Sequence, residues 1–510
     1  LFNHHSKTAT DRKLTVEFTG NPAWYAIQAL PSLSLPENNN AISWATAYYA
    51  NTLASYIMNS QPRIKAVFDS WKLQGGTKET FLSNLQKNQE VKNILLSESP
   101  WVLEAQTEEQ QKERIATLFD LNNIRNNNIA ALTRLQELQN SDGAWSWFKG
   151  MNGSRYVTAY IAELNARLAL LTGEKLDGPA LALQEKALTY LHQSALEEYK
   201  NILKAQKEGV KFTGVSGSIL QYLYIVAISG EQVPAASKIA YAYYLSKVGE
   251  LLTSSSMETK AIAAIVLDKA GRKKEAQEFV ASLKEHLTKT DEQGMFFAFN
   301  ENPYSWGGMK MQAHVDVMEA LELTGGNNDT VEEMKLWLLK QKQTQQWSSP
   351  VATADAVYAL LMKGANLLDN QGDVRIVIAN EVLETLSPSK TTVPGLGYIK
   401  RSFTQKNVVD ARKIEVEKRN PGIAWGAVYA EYDSPISDVK QQGGALNVEK
   451  QLYVERIENN VAQLQPITSK TVLTVGDKVV SRLTISVDRT MDFVQLKDQR
   501  GACFEPVGSI

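Results

Sequence analysis

The chain has almost no cysteine. Among 510 residues only Cys503 carries a thiol, which excludes an internal disulfide and any cysteine-based metal cluster. Histidine is nearly as scarce: His4, His5, His192, His286 and His314 are scattered through the chain. A metal site needs about three convergent ligands, and no such spacing occurs. His314 and Asp316, two apart on a helix, point to different faces. No apolar run approaches the ~18 residues that cross a bilayer. Nor is one sign of charge in excess, since a formal net charge of −2 leaves no field for nucleic acid or anionic lipid. Leu1 is not a start methionine and no charged-then-apolar signal precedes Asp11, so the chain reads as a mature form or a piece of a larger protein.

What is present is ordinary globular composition, with 43% hydrophobic and 22% charged residues. The length suggests roughly three domains at about 150 residues each. Lys13-Leu-Thr-Val-Glu-Phe-Thr19 alternates as a strand, and Gly20-Asn-Pro22 ends it. From about Pro36 to Gly364 the periodicity is helical. In the first of these helices Ala45, Tyr49, Leu53, Tyr56 and Ile57 form one apolar stripe. Helices close on glycine at Gly173, Gly230, Gly271, Gly325 and Gly364. Their spacing of roughly 40 to 60 residues is that of helical hairpins.

A Trp-bearing turn between two helices recurs. Asp142-Gly-Ala-Trp-Ser-Trp147 precedes the helix at Thr158, Tyr304-Ser-Trp306 precedes that at Val315, and Gln346-Trp347 precedes that at Thr353. As packing devices, such indoles wedge between hairpins and donate to a backbone carbonyl; as a functional device, they would line a ligand cavity. About six hairpins of irregular period favour a closed ring, an α/α toroid, over an open solenoid. After Gly364 the period becomes 2. Strands are expected at Val374–Ile378, Lys413–Glu417, Ala424–Tyr429, Val448–Val454, Leu473–Val475, Val479–Val487 and Phe493–Leu496, giving one or two β-sandwiches. A break falls at Ser437–Gly444. Since a lone strand is not stable by itself, the N-terminal strand is expected to pair with the sheet after residue 370, leaving the helical ring as an insertion.

Candidate chemistry is sparse. No Gly-x-Ser-x-Gly elbow occurs, and Gly75-Gly-Thr-Lys78 lacks the rest of a phosphate loop. His192 and His286 are expected on solvated faces, Arg272-Lys-Lys274 in a solvated turn, and Cys503, beside Phe504, as a buried or half-buried inert thiol. Asn38, Asn39, Asn40 and Ser43 are good helix-capping residues. Lys149, Arg155 and Tyr156 near Trp147 could form a weak sugar site.

Several segments together resemble one family. Leu33-Ser-Leu-Pro-Glu-Asn-Asn-Asn-Ala-Ile-Ser-Trp-Ala-Thr-Ala-Tyr-Tyr-Ala-Asn51 is similar to the segment carrying the internal thioester of the alpha-2-macroglobulin and complement family. There a Pro-rich loop leads to Gly-Cys-x-Glu-Gln and a helix often reading Tyr-Tyr-Ala-Asn. Asp142–Trp147 with Thr158-Ala-Tyr160, and Trp347 with Ala352–Leu360, look like that family's Trp and Thr-Ala hairpins. Ala424–Tyr429 looks like its Trp-rich strand, Leu446–Lys450 like the opening strand of its last domain, and Asp498–Pro506 like a bacterial version of its Asp-x-x-Pro-x-Gly-x-Glu-Pro turn. The resemblance spans nearly all of the chain, in the family's order.

It implies a multidomain α + β protein, in which an α/α toroid is inserted in a CUB-like β-sandwich and a partial macroglobulin-type β-sandwich follows. The boundaries would be 1–34 and 367–440 for the CUB-like segments, 35–366 for the toroid and 441–510 for the last domain. The family continues with more strands after the final turn, and its bait region and preceding macroglobulin domains are not in this sequence, so the resemblance implies a fragment of about a third of such a protein. Counted back from Tyr48, the thioester Cys falls on Asn40 and the Gln on Ser43, and neither can form the bond. No His lies between Trp145 and Tyr160, where the family's acyl-accepting His would be. The implied function is non-enzymatic: a bacterial proteinase inhibitor that traps sterically, without catalytic residues, cofactor or metal. Its partners would be proteinases and the upstream macroglobulin domains of the same chain, in the periplasm or cell envelope, with any lipid anchor upstream. The rivals are a toroid carbohydrate-active enzyme with β-sandwich modules, which needs two carboxylates in its cleft, and a structural envelope protein.

Overall fold

The computed structural model describes residues 10–19, 23–60, 118–176, 178–211, 214–253, 256–290, 294–297, 310–341, 347, 349–362, 373–378, 381–384, 392–393, 398–404, 413–419, 424–433, 446–458, 461–487, 496, 498 and 500–507. Contacts divide the chain into one unit that includes Lys13–Glu431 and another that includes Tyr432–Ile510.

Twelve α-helices are described in the first unit: α1 (Ala23–Leu33), α2 (Ala41–Ser60), α3 (Leu121–Leu138), α4 (Arg155–Thr172), α5 (Gly178–Lys207), α6 (Gly217–Ser229), α7 (Lys238–Lys247), α8 (Met257–Lys269), α9 (Lys273–Glu285), α10 (Lys310–Thr324), α11 (Asn328–Lys340) and α12 (Pro350–Leu361). Serine hydroxyls start four of them. Ser154, Ser216, Ser256 and Ser349 each accept a backbone N–H in the first turn of α4, α6, α8 and α12. As expected from sequence, the glycines that follow are left-handed, with φ of 68° at Gly173 and 67° at Gly230.

The even-numbered helices contact one another in sequence. Helix α2 packs on α4, α4 on α6, α6 on α8, α8 on α10, α10 on α12, and α12 back on α2. The odd-numbered helices α3, α5, α9 and α11 each pack on the even helix before or after them. Composition explains the division. Helix α12 reads Pro-Val-Ala-Thr-Ala-Asp-Ala-Val-Tyr-Ala-Leu-Leu and is buried along nearly all its length, as an apolar helix with no polar face must be. Helix α9 has one apolar stripe, Ala276, Phe279, Val280 and Leu283, and exposes the rest. Helix α1, which the sequence reading left within a β-segment, buries Ala26, Ile27, Ala29, Leu30 and Leu33 in the helical core. A hairpin of β2 (Leu287–Thr290) and β3 (Gly294–Phe297) also went unread; its β3 packs on α11.

The remaining described strands that lie wholly or mostly in this unit are β1 (Thr10–Thr19), β4 (Val374–Ile378), β5 (Glu381–Glu384), β6 (Thr392–Val393), β7 (Tyr398–Thr404), β8 (Ile414–Lys418) and β9 (Trp425–Asp433). One sheet runs β6-β7-β1-β9 and another β5-β4-β8. The expected pairing of the N-terminal strand is present: β1 lies antiparallel to β7, with Leu14 opposite Phe403 and Val16 opposite Arg401. Leu14, Val16, Phe18, Val374, Ile376, Ile378, Ile399 and Phe403 form a second core, separate from that of the helices. The chain therefore leaves a sheet at β1, runs through the helices, and returns to the same sheet.

In the second unit β10 (Leu446–Glu458) lies between β11 (Val461–Pro466) and β12 (Val479–Val487). Leu473–Val475, expected as a strand, is irregular chain leading into the turn at Gly476. There Asp477 accepts the Thr474 amide at 2.8 Å and pairs with Arg456, and a turn held this way replaces a ladder. Of the strand expected at Phe493–Leu496, Phe493, Val494 and Gln495 lie outside the described residues. Cys503 is exposed, correcting the expectation of burial: Ala502 and Cys503 sit in a turn rather than a strand.

Candidate functional site

The start of α2 carries the two positions that the family resemblance singled out. Asn40 caps the helix, its Oδ1 accepting the Ser43 amide at 2.8 Å. Asn39 Oδ1 accepts the Trp44 indole N–H at 2.8 Å. Ser43 lies within the first turn and is buried. The Ala41 amide donates to the Trp147 carbonyl at 3.1 Å, so the cap rests against the Asp142–Trp147 turn.

That turn has a buried and an exposed indole. Trp145 is fully buried and donates from Nε1 to Leu135 O at 2.9 Å, and Trp347 donates to Leu338 O at the same distance. The packing reading of these tryptophans holds; Tyr304, Ser305 and Trp306 lie outside the described residues. Each buried indole is locked by its neighbour in the same way. The Trp145 and Trp347 amides donate to the hydroxyls of Thr158 and Thr353, which donate in turn to the carbonyls of the capping serines Ser154 and Ser349. Trp147 faces outward, its ring 6.0 Å from that of Tyr156, with Phe148 and Met151 also exposed. The proposed sugar-binding trio does not converge. Lys149 pairs with Glu137, Arg155 pairs with Glu198 at 2.7 Å, and Tyr156 stacks on Trp147.

A second cluster lies inside the helical unit. Arg167 on α4 is 2% exposed. Its Nη1 meets Glu163 at 2.9 Å and Asp355 at 3.1 Å, and its Nη2 meets Asp316 at 2.9 Å and Glu319 at 2.7 Å. Its Nε donates to the Tyr224 hydroxyl at 3.0 Å. Tyr224 and Tyr358 both donate to Glu319, and Gln221 donates to Glu163. One guanidinium thus joins α4, α6, α10 and α12. Its fixed fork of five donors is the geometry needed to serve several carboxylates at once.

Burial dominates the electrostatics here. It raises the Asp355 carboxyl to about 7 and Asp316 well above its ordinary value, with Arg167 opposing in both cases. Glu163 is raised for the same reason. Burial works against the Arg167 charge, but Glu319, Tyr224, Glu163 and Asp316 outweigh it and hold the guanidinium protonated. Asp316 Oδ2, Asp355 Oδ2 and the hydroxyls of Tyr49 and Tyr160 have no hydrogen-bond partner among the described residues.

Sequence reasoning missed this cluster, although a signal was present. Tyr160/Glu163, Gln221/Tyr224, Asp316/Glu319 and Asp355/Tyr358 are polar pairs three apart in otherwise apolar helices, and such pairs share one face.

The histidines need one correction. His192, expected on a solvated face, is buried with Nδ1 2.8 Å from the Tyr222 hydroxyl, because α5 turns its Ala187, Leu188, Leu191 and Ala195 side inward and carries His192 with it. His286 is exposed as expected. His314 is buried, with Nε2 2.9 Å from Met334 O. Among the described residues no group of three or more His, Cys, Asp and Glu side chains is placed to hold a metal ion. The Gly75–Lys78 segment and His4-His5 lie outside the described residues. Arg272 is half-buried, paired with Glu275 and donating to Leu245 O, while Lys273 and Lys274 are exposed.

Residues 446–510 match the family model of the bacterial alpha-2-macroglobulin MG10 domain. No curated protein matches the chain. Among solved structures, native Escherichia coli alpha-2-macroglobulin from domain MG7 to the C-terminus is similar at 12% identity and a TM-score of 0.40, over 88% of this chain and 56% of that one. The Salmonella alpha-2-macroglobulin mutant Y1175G is similar at 13% identity and a TM-score of 0.40, over 94% of this chain and 25% of that one. The chain therefore spans just over half of the first of these two solved chains and a quarter of the second. Over residues 446–510 the chain therefore carries a region similar to the MG10 domain of bacterial alpha-2-macroglobulins.

Proposed function

We propose that this chain is part of a bacterial alpha-2-macroglobulin-like proteinase inhibitor that captures its target sterically, without a thioester. The observation that supports this most is the MG10 match over residues 446–510. The residues at the start of α2 support the second half of the reading. Asn40 and Ser43 stand where the resemblance places the thioester Cys and Gln, and an amide capping a backbone N–H supplies neither a sulfur nor an acyl carbonyl for that bond. In this reading the contact cycle of even-numbered helices is the α/α toroid, and the sheet containing β1, β7 and β9 belongs to the CUB-like domain. The toroid then serves as a rigid mass and interaction surface, and other domains of the same protein carry the proteinase-cleaved segment. The protein works in the periplasm or cell envelope. A ring-shaped carbohydrate-active enzyme is less well supported, since Glu163, Asp316, Glu319 and Asp355 are buried around Arg167 and open to no sugar.

Methylamine labelling followed by intact mass tests the missing thioester; no adduct beyond controls is expected, and a single adduct on the segment starting α2 would refute it. Incubating the whole protein with a proteinase tests trapping. The expected result is cleavage of the inhibitor with retained activity on small substrates and lost activity on large ones, and equal loss on both would count against a steric cage.

A further inference from the structure

Four carboxyl groups surround Arg167, and its guanidinium supplies one positive charge. Fully ionised, the cluster would bury a large excess of negative charge, and buried charges are tolerated only when paired. The structure leaves one oxygen of Asp316 and one of Asp355 without a hydrogen-bond donor. An ionised carboxylate there is poorly stabilised, whereas a proton on the unpartnered oxygen removes the charge and keeps the other oxygen on Arg167. The proton is also a cation that needs no shell of ligands.

We propose that the Arg167 cluster is a proton-operated clamp: carboxyl protons on α10 and α12 keep these helices drawn onto the guanidinium of α4, and loss of those protons loosens that side of the helical cycle. The groups facing the clamp support this from every element packed against it. Helix α2 offers Tyr49, α4 offers Tyr156, Tyr160 and Glu163, α6 offers Tyr224, and α8 offers Glu258. Helix α10 contributes Asp316 and Glu319, and α12 contributes Asp355 and Tyr358. All of these are neutral or negative. Of the charges acting most strongly on Asp316 and Asp355, Arg167 opposes the shift while Glu163, Glu258 and Glu319 add to it, so each further ionisation adds repulsion.

The sign follows from linkage. The folded Asp355 carboxyl titrates at about 7, above its ordinary value of 3.8. Its contribution is therefore complete below about pH 3.8 and is lost as pH rises through about 7. Asp316 is displaced in the same direction and adds to that loss.

The test uses the full chain at pH 5 and pH 8.5. Urea midpoints of wild type and D355N are compared at both values, so that groups common to the two cancel. The variant is expected to gain on wild type by on the order of 0.5 M urea between pH 5 and pH 8.5; an unchanged difference overturns the clamp. Should D355N fail to fold, amide hydrogen exchange of the wild type decides. Protection in α10 and α12, corrected for intrinsic rates, is expected to fall about tenfold or more from pH 6 to pH 8.5 relative to α5 and α9. Uniform change across the helices would overturn it.

Discussion

Arg167 and Glu319 lie on helices far apart in sequence, yet Nη2 and Oε2 meet at 2.7 Å with both side chains almost out of contact with water. Glu319 is also the acceptor for the hydroxyls of Tyr224 and Tyr358. The pair is buried in the helical unit and makes α4 and α10 dependent on each other for satisfied charge.

Removing the cation exposes that dependence. Arg167→Ala removes the cation shared by four buried carboxyls and is expected to destabilise the helical unit by about 3–5 kcal/mol, or to prevent its folding. Arg167→Lys recovers little, because a point charge cannot fork between α10 and α12. Chemical denaturation followed by tryptophan fluorescence checks both; a Lys variant as stable as wild type would count against the geometric argument.

The two Trp turns make a matched pair. Thr158→Val and Thr353→Val each remove a hydroxyl that accepts an indole residue's backbone amide and bonds back to the capping serine. Each is expected to lower stability by about 1–3 kcal/mol, since a buried N–H is left unsatisfied. Similar values for the two would mark the turns as structural equivalents.

Gly143 has φ of 91°, and a Cβ built there would lie 2.3 Å from Lys186 O. Gly143→Ala therefore combines a disfavoured backbone with a clash against rigid α5 backbone. The expected loss is about 2–4 kcal/mol, above the 1–3 kcal/mol of strain alone. Gly150→Ala, where φ is 86° but nothing lies near, serves as the control and should lose less.

His314 sets an acid limit. Burial lowers its imidazole to about 4 despite the Met334 carbonyl that favours the charged form. Its neutral state contributes stability above the ordinary value of 6.5, and that contribution is lost as pH falls through about 4. Between these values His314→Gln should show a shallower loss of thermal midpoint on acidification than wild type; parallel curves would show that His314 does not titrate with unfolding.

Cap chemistry at Asn40 is a local matter. Asn40→Ala is expected to cost about 0.5–2 kcal/mol, while Asn40→Asp, which keeps the acceptor oxygen, should be close to neutral. Thermal denaturation of the two variants distinguishes a cap from a position with another role.

Much of the fold was legible because local chemistry wrote it. Val374–Ile378 and Val479–Val487 alternate as strands and are strands; Gly173, Gly230 and Gly271 close helices because a left-handed residue favours glycine. Helix α1 escaped notice because it is short and holds Pro31, and the β2–β3 hairpin because its strands have four residues each. His192 was misread because a charged stretch of α5 gives no sign of which turn faces inward.

By itself the sequence determined the succession of strand, helices and strands, the glycine-closed helix ends, the pairing of the N-terminal strand with the sheet after residue 370 and the chemical poverty of Asn40 and Ser43, most of which depend on neighbours along the chain or on side-chain identity. Only the tertiary structure decided that Glu163, Asp316, Glu319 and Asp355 share one guanidinium. Periodicity shows that each polar pair shares a face of its own helix. Which faces meet depends on how separate helices pack, and burial at that meeting point raises the Asp355 carboxyl from an ordinary surface acid to about 7.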